Sequence, residues 1–318
     1  MRVGRRARLL SLGSGAVALA LFAAACGERQ EPTGSTVATA YPVTVQGANE
    51  KPLEIASAPR HVLPVSTSAA AIVDALGKRS LVPGAPASGQ LRPFPVRSIT
   101  ATPSDLIIGS QTNDALELER AASAAKTPLL VIGDSSLRDL ERSILDVGLA
   151  IGAPVEARAL VRTIDDRLAA VKAKLAGKAP VKVFVDTGFG ISIADDTFAG
   201  ELLRAAGATN VAGNADAAPF PHKLLLAAEP DFYIATETSG ATLDDLRHTP
   251  GLRNLAAVRE GRFAIIPATL LRPGTDVGDA VLQLYGILHP DTTAAGAVTT
   301  PAATTEATIT APTTTSTS

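Results

Sequence analysis

One long helix near the middle of the chain is the strongest constraint on the fold. The segment from Gly152 to Gly177 contains apolar side chains at spacings of four, four, three and four residues, which keeps them on one helical face. These side chains are Leu160, Ile164, Leu168, Val171 and Leu175. Pro154 suits the first turn, and Gly177 suits the position that follows the last turn. The pattern predicts a helix of about 24 residues and about 36 Å, long enough to run across two lobes.

Short aliphatic segments alternate with helical patterns on both sides of this helix. The predicted strands are His61–Val65, Asp105–Ile108, Leu129–Ile132, Val181–Val185, Asp231–Ala235 and Phe263–Ile266. The predicted helices are Ser68–Leu76, Asp114–Ala124, Leu137–Ile151, Gly200–Ala206 and Leu243–Val258, the last divided in two by Pro250. A hairpin is predicted from Tyr41–Gln46 and Lys51–Ile55. This alternation favours an α/β protein with two Rossmann-like lobes, mostly parallel sheets and a single long backbone helix between them.

The first 25 residues have the composition of an export signal. Four arginines precede an apolar stretch from about Leu9 to Ala25, which is too short for a typical membrane span. The only cysteine, Cys26, follows three alanines and resembles the lipidated cysteine of a bacterial lipoprotein box, apart from Ala23, where leucine is usual. The resemblance implies an extracytoplasmic protein that is lipid-anchored to the cell membrane. The alternative is an ordinary secretory signal with an incidental cysteine.

Composition suggests six segments along the chain. We predict a lipoprotein signal peptide at 1–25, a flexible tether at 26–40, an N-terminal lobe at 41–152, an interlobe helix at 153–177, a C-terminal lobe at 178–290 and a disordered Thr/Ala/Pro-rich tail at 291–318. The tail contains twelve threonines and no Lys or Arg, so it is predicted to be either a mucin-like glycosylated segment or a plain tail.

Charge and histidine distribution exclude some classes of function. Without the leader the chain has 25 basic and 31 acidic residues, a formal net charge of −6, which argues against nucleic-acid binding. The four histidines are scattered, so a bare Zn or Mn site is not expected. No cofactor is expected. We expect a monomer.

Several short motifs follow one another in a characteristic order. They are Ala58-Pro-Arg-His-Val, Ser104-Asp-Leu-Ile-Ile, Thr197–Val211, Glu229-Pro-Asp-Phe-Tyr-Ile and Leu271-Arg-Pro-Gly. Together they resemble the helical-backbone (class III) substrate-binding proteins of ABC importers, which collect ferric siderophores, haem and cobalamin. The resemblance covers about residues 41–290. It implies capture of a metal chelate between two lobes and delivery to an ABC permease.

Candidate ligand-binding residues follow the predicted strands, because ligands bind beyond the carboxyl ends of the strands in open α/β sheets. These loop residues are Ser66, Thr67, Ser110, Gln111, Asn113, Phe189 and Glu237. Turn formation or helix capping is the alternative role for each of the polar ones. The resemblance places Phe220 and His222 at the cleft as well. Arg272 is the most specific candidate for ligand binding, because a guanidinium pairs with carboxylates or anionic iron chelates.

The aromatic content bears weakly on the ligand. The chain has no tryptophan, whereas large planar ligands such as haem and cobalamin usually rest on aromatic faces. An iron chelate is therefore slightly favoured.

Two positions complicate the importer interpretation. The resemblance implies a glutamate on each lobe that docks into arginines of the permease, and the matching positions here are Arg97 and Lys223. Bases at these positions would repel such arginines. Either the register is displaced by a residue or two, or the cognate permease carries acids. The third possibility is a membrane-anchored receptor or scaffold that is not coupled to a permease.

A hydrolase is the rival from another class. Gly133-Asp134-Ser135 and Asp245-Leu-Arg-His248 resemble the blocks that supply Ser, Asp and His in SGNH hydrolases. That Gly-Asp-Ser block belongs on the first strand of such enzymes, whereas two βα units precede it here. We therefore expect that the protein is not an enzyme.

Overall fold

The computed structural model describes residues 39–214 and 219–290, which belong to one compact unit. The predictions for the leader, for Cys26, for most of the tether and for the tail lie outside these ranges. Within them, no helix combines the length and the apolar character that crossing a membrane requires.

The N-terminal half is a hairpin followed by a three-stranded parallel sheet. Strands β1 (Val43–Gln46) and β2 (Pro52–Ile55) pair antiparallel. The parallel sheet has the order β3-β4-β5, with β3 at Val62–Pro64, β4 at Leu106–Ser110 and β5 at Leu129–Ile132. Its helices are α1 (Thr67–Ala75), α2 (Ala115–Ala125) and α3 (Leu137–Ala150), and α4 (Pro154–Lys174) follows. Short 3₁₀ turns occupy Arg79–Leu81 and Val96–Ala101.

The C-terminal half contains a four-stranded, wholly parallel sheet. Its order is β7-β6-β8-β9, with β6 at Val181–Asp186, β7 at Ala208–Asn210, β8 at Phe232–Thr236 and β9 at Phe263–Ile266. Its helices are α5 (Phe198–Ala205), α6 (His222–Ala228), α7 (Leu243–His248), α8 (Ala256–Arg259) and α9 (Val277–Leu288). Leu252–Asn254 and Ala268–Leu271 form 3₁₀ turns. The α/β prediction with two lobes and parallel sheets is confirmed.

Helix α4 packs on both halves of the molecule. It contacts α3 on one side and α9 on the other, where Arg167 of α4 pairs with Asp279 at 2.6 Å. Gly148 allows the close approach of α3, because a Cβ there would overlap the Cβ of Ala157. The helix has 21 residues, about 31 Å, so the predicted length was three residues too long.

Some elements were not predicted, and one prediction was wrong. Strand β7 and helices α6 and α9 were missed. The segment from Leu243 does form two short helices, α7 and α8, with a 3₁₀ turn between them. The Pro-Phe-Pro-His segment was predicted as a loop, yet His222 is the first residue of α6. A proline suits the position just before a first turn, so its presence does not prevent helix formation there.

One continuous apolar core runs through both lobes. It includes Leu140 of α3, Ile164 and Val171 of α4, Leu202 of α5 and Leu284 of α9, each no more than 1% exposed. Two smaller clusters lie on the outer faces of the sheets. Because α4 contributes to the shared core, the two lobes are joined by packing as well as by the chain.

Candidate functional site

Two neighbouring cavities are lined by residues from both lobes. The interlobe cavity, about 610 Å³, has Thr112, Asp134 and Ser135 on the N-terminal side and the 192–199 segment with Leu271 and Pro273 on the C-terminal side. The Arg272 cavity, about 480 Å³, lies between α1 and the segment that leads into α9. Pro273 lines both cavities, so they adjoin. Each is large enough for part of a small ligand.

The Arg272 cavity brings together two of the predicted residues. Thr67 of α1 and Arg272 both line it, together with Gln90 and Leu91. The guanidinium of Arg272 has no hydrogen-bond partner among residues 39–214 and 219–290. An exposed guanidinium in a cavity is available to pair with an anionic group.

Arg79 holds the loop that contributes Gln90 and Leu91. Its Nε and Nη2 donate to the two carboxylate oxygens of Asp74 at 2.7 and 2.6 Å, and Nη1 and Nη2 donate to the carbonyls of Pro86 and Gly89. The hydrogen bond with Asp74 raises the pKa of Arg79 above its usual value. This positioning role was not predicted, because nothing local in the sequence links Arg79 to the loop.

A buried polar cluster closes the N-terminal side of the interlobe cavity. Asp134, 5% exposed, accepts hydrogen bonds on Oδ2 from the hydroxyls of Ser68 (2.7 Å) and Ser110 (2.6 Å). Ser66 lies 3.2 Å from Ser68, and Thr112 lies 2.8 Å from Ser110. Ser66 also caps α1 by accepting from the amide of Ala69. Thus Ser66 and Ser110 belong to a cluster whose centre, Asp134, was not predicted as a binding residue.

The C-terminal sheet has a buried aspartate at its carboxyl edge as well. Asp186 ends β6 and accepts on Oδ2 from the Tyr233 hydroxyl at 2.8 Å and on Oδ1 from the Gly188 amide at 2.9 Å. Burial and the adjacent Asp186 raise the pKa of Tyr233. Both oxygens of Asp186 are therefore occupied, and this pair fixes the loop after β6.

That loop presents an exposed phenyl ring. Phe189 is 94% exposed and has a left-handed φ of +54° between Gly188 and Gly190, which also have positive φ. Ile191 donates to the carbonyl of Gly188, and Phe220 donates to that of Gly190, so the turn is held from both sides. A left-handed backbone costs a non-glycine residue about 1 kcal/mol or more. The turn therefore holds the ring in solvent beyond the end of β6.

The other predicted ligand residues have partners within the protein. Gln111 donates to the carbonyl of Ala48, and Asn113 accepts from the amide of Ser110 and donates to the carbonyl of Val65. Glu237 accepts from the amide of Ala268 at 3.0 Å. The contact of Asn113 with Ser110 is the turn role that was its alternative, whereas Gln111 and Glu237 each connect their loop to a distant segment.

Two aromatic candidates lie away from both cavities. Phe220 packs against the apolar cluster that contains Phe184 and Tyr233 of the C-terminal sheet, with its ring centroid 5.6 Å from that of Phe184. His222 is an exposed residue at the start of α6. Within the described ranges, no group of three His, Cys, Asp or Glu side chains is arranged to hold a metal ion.

The comparisons with known proteins decide the family. Residues 98–270, more than half of the chain, match the family described as periplasmic binding protein. The chain is a periplasmic binding protein. Curated relatives of this binding protein include the cobalamin-binding protein of Halobacterium salinarum, 23% identical over 285 residues, which are 80% of this chain and 76% of that protein.

Two further comparisons agree with this family. The uncharacterized ABC transporter substrate-binding lipoprotein YvrC of Bacillus subtilis is 23% identical over 300 residues, which are 86% of this chain and 95% of that protein. The crystal structure of Helicobacter pylori CeuE with Ni(II) bound has a TM-score of 0.65 and 13% identity, covering 78% of this chain and 89% of that one. The structural likeness supports the same two-lobe fold. The predicted family is confirmed.

The residues of the rival hydrolase interpretation have other partners in this binding protein. The Ser135 hydroxyl donates to Asp139, and hydrogen bonds from Ser136 and then Ser135 hold the pKa of Asp139 below its usual value. Asp245 forms the capping box of α7 with Thr242. The Nδ1 atom of His248 lies 2.8 Å from the carbonyl oxygen of Asp244. No hydrogen bond joins the three residues into a triad.

The two predicted docking positions are exposed on this binding protein. Arg97 lies in the 3₁₀ turn that precedes β4, and Lys223 lies in the first turn of α6. Both side chains are accessible to a partner, one on each lobe.

Proposed function

We propose that this binding protein captures a metal chelate between its lobes and delivers it to an ABC importer from the outer face of the cell membrane. The observation that carries the proposal is the pair of adjoining cavities between the lobes, one of which presents the guanidinium of Arg272. The cargo class is supported by the cobalamin-binding relative and by the nickel-bound structure with the same fold.

A thermal-shift panel tests the cargo. The panel contains ferric siderophores, haem, cyanocobalamin and free iron and nickel ions. A ligand that binds only the native state raises the free energy of unfolding by about 2.7 kcal/mol at a hundredfold excess over Kd. At least one chelate is expected to raise the melting temperature more than the free ions do. A panel that leaves the melting temperature unchanged would overturn the proposed cargo.

Arg272→Ala is expected to weaken binding of an anionic chelate by about 1.5–3 kcal/mol, the contribution of a hydrogen bond to a charged group. Calorimetric titration of the chelate that performs best in the panel measures this loss. Arg120→Ala is the matched control, because Arg120 is exposed on α2 and lines neither cavity. Equal affinity of the two variants would remove Arg272 from the binding site.

Lipid attachment at Cys26 is proposed from the leader and from the lipoprotein relative. Cys26→Ser is expected to abolish lipid attachment and to release the protein from the membrane fraction into the soluble extracytoplasmic fraction. Fractionation with immunoblotting measures the release, and mass spectrometry identifies the mature N-terminus. An unmodified Cys26 thiol on the wild-type protein would contradict the anchor.

The permease partner is proposed with a specific charge requirement. Arg97 and Lys223 are exposed bases where the resemblance implies glutamates, so a cognate permease would carry acids at the facing positions. A receptor that is not coupled to a permease is the second candidate, and the same two bases favour it. The test is whether a permease co-purifies with the wild-type protein and is lost from the double variant Arg97→Glu, Lys223→Glu. That result would distinguish an importer subunit from an uncoupled receptor.

A further inference from the structure

We infer that the interlobe cavity selects ligands by an N–H donor, either an ammonium or a primary amide, which hydrogen-bonds to Asp134. The inference rests on the proposed function and goes further, because it specifies the chemistry of the part of the chelate that enters this cavity. The cavity is the one lined by Asp134, Thr112, the 192–199 segment and Pro273.

The hydrogen bonds of the hydroxyl cluster around Asp134 can run in only one direction. Each hydroxyl has one proton, and those of Ser68 and Ser110 are both donated to Oδ2 of Asp134. Ser66 must then donate to Ser68, and Thr112 must donate to Ser110. All four protons point towards the carboxylate. Oδ2 already accepts from two hydroxyls of the protein, so a further donor would hydrogen-bond to Oδ1.

The second oxygen of this carboxylate lacks a partner. Among residues 39–214 and 219–290, Asp134 Oδ1 is buried and accepts no hydrogen bond, and Asp134 forms no ion pair. A buried polar atom without a partner is costly and calls for a specific explanation. Ser192, on the opposite lobe, lines the same cavity, and its buried Oγ also has no partner in these ranges. Each lobe thus contributes to the lining of one cavity a residue that has an unsatisfied polar atom.

The charges of the cavity determine which group can satisfy these atoms. Asp134 and Asp196 are its charged lining residues, and the described lining includes no Lys, Arg or His. A second anion would be repelled, whereas an N–H donor pairs with a carboxylate. The apolar part of the lining, which includes Ile193, Phe198 and Leu271, strengthens the attraction within such a pair. The adjoining Arg272 cavity has the opposite preference. The favoured cargo therefore has an N–H donor at one end and an acidic group at the other.

Two matched pairs of probes test the selection and separate its two sources. Ferrioxamine B carries an ammonium, which its N-acetyl derivative replaces by an uncharged secondary amide with a single N–H. Cyanocobalamin carries primary amides, one of which is a carboxylate in its monocarboxylic derivative. Titration calorimetry at pH 7 with the full mature protein is expected to show that one N–H probe binds about 10- to 100-fold more tightly than its matched partner, as expected for a hydrogen bond to a charged group.

Asp134→Asn should remove this preference. Ser68 and Ser110 would hydrogen-bond to the amide oxygen of the new side chain, so its NH₂ group would occupy the position of Oδ1 and reject an N–H donor. We expect the variant to lose the 10- to 100-fold preference while its melting temperature without ligand stays close to that of the wild type. Asp166→Asn is the matched control, because it removes the same charge from the exposed face of α4.

Each outcome decides the inference. Equal binding of the members of both pairs, or an unchanged preference in Asp134→Asn, would overturn it. If other chelates of the panel bind and neither N–H probe does, the inference fails while the proposed function stands; if no chelate binds, both fail. Should Asp134→Asn not fold, Ser192→Ala replaces it, and an unchanged affinity for the preferred N–H probe would equally overturn the inference.

Discussion

Replacing Gly200 by alanine is expected to lower the free energy of unfolding by about 3 kcal/mol, at the upper end of the range for overpacking. A Cβ at this position of α5 would lie 2.5 Å from the carbonyl oxygen of Ala194 and 2.7 Å from that of Asp195. Both are backbone atoms that cannot rotate away, so the helix or the segment before it must shift. Urea unfolding followed by far-UV circular dichroism measures the loss.

The same change is expected to weaken ligand binding, because Ala194 lines the interlobe cavity. Gly286→Ala is the control. Gly286 lies within α9 and is exposed, and apart from the adjacent helix backbone no atom of residues 39–214 and 219–290 lies within 4 Å of the position of a new Cβ. It should raise stability by about 0.5–1 kcal/mol through the better helix propensity of alanine. Effects of the same sign at both positions would contradict the steric argument at Gly200.

The elements that sequence predicted well are those whose burial is visible locally. The β4 and β8 strands are fully buried, as parallel strands covered on both faces must be, and they are nearly continuous aliphatic or aromatic segments. Helix α4 has an apolar stripe with spacings of three and four residues. In each case the pattern needs no knowledge of the partner element.

The missed elements depend on their neighbours. Strand β7 has only three residues, and Thr209 and Asn210 have low apolar character, so it is a strand chiefly because it pairs with β6. Helix α9 has one exposed face, but that face includes Leu282 and Gly286, so the apolar residues of the sequence do not mark a single face. Gly278 is required where the side chain of Arg167 crosses the helix.

The candidate site was predictable only in part, for a similar reason. The topology of α/β sheets identified the strand-end loops, and two of their residues, Thr67 and Arg272, line one cavity together. Asp134 was not identified, because its partners Ser68 and Ser110 are 66 and 24 residues away along the chain. The sequence also could not show whether a polar loop residue faces a ligand or, like Asn113, its own backbone.

Ile164→Ala should destabilise both lobes together. Ile164 is 1% exposed in α4, at the part of the core that the lobes share, and such truncations cost about 2–5 kcal/mol. Native-state hydrogen exchange is expected to show equal losses of protection in β4 of the N-terminal lobe and β8 of the C-terminal lobe. Leu116→Ala on α2, where the side chain is 64% exposed, should change stability by no more than about 0.5 kcal/mol.

A loss of protection confined to one lobe would contradict the shared core. In that case α4 would belong to one lobe, and the other would dock on it as a separate folding unit. Equal losses would instead mean that α4 transmits a packing defect to both strands, although β4 and β8 lie in different sheets. The same coupling would limit how far the lobes can separate, because opening the cleft would have to expose apolar surface that α4 buries against α3 and α9.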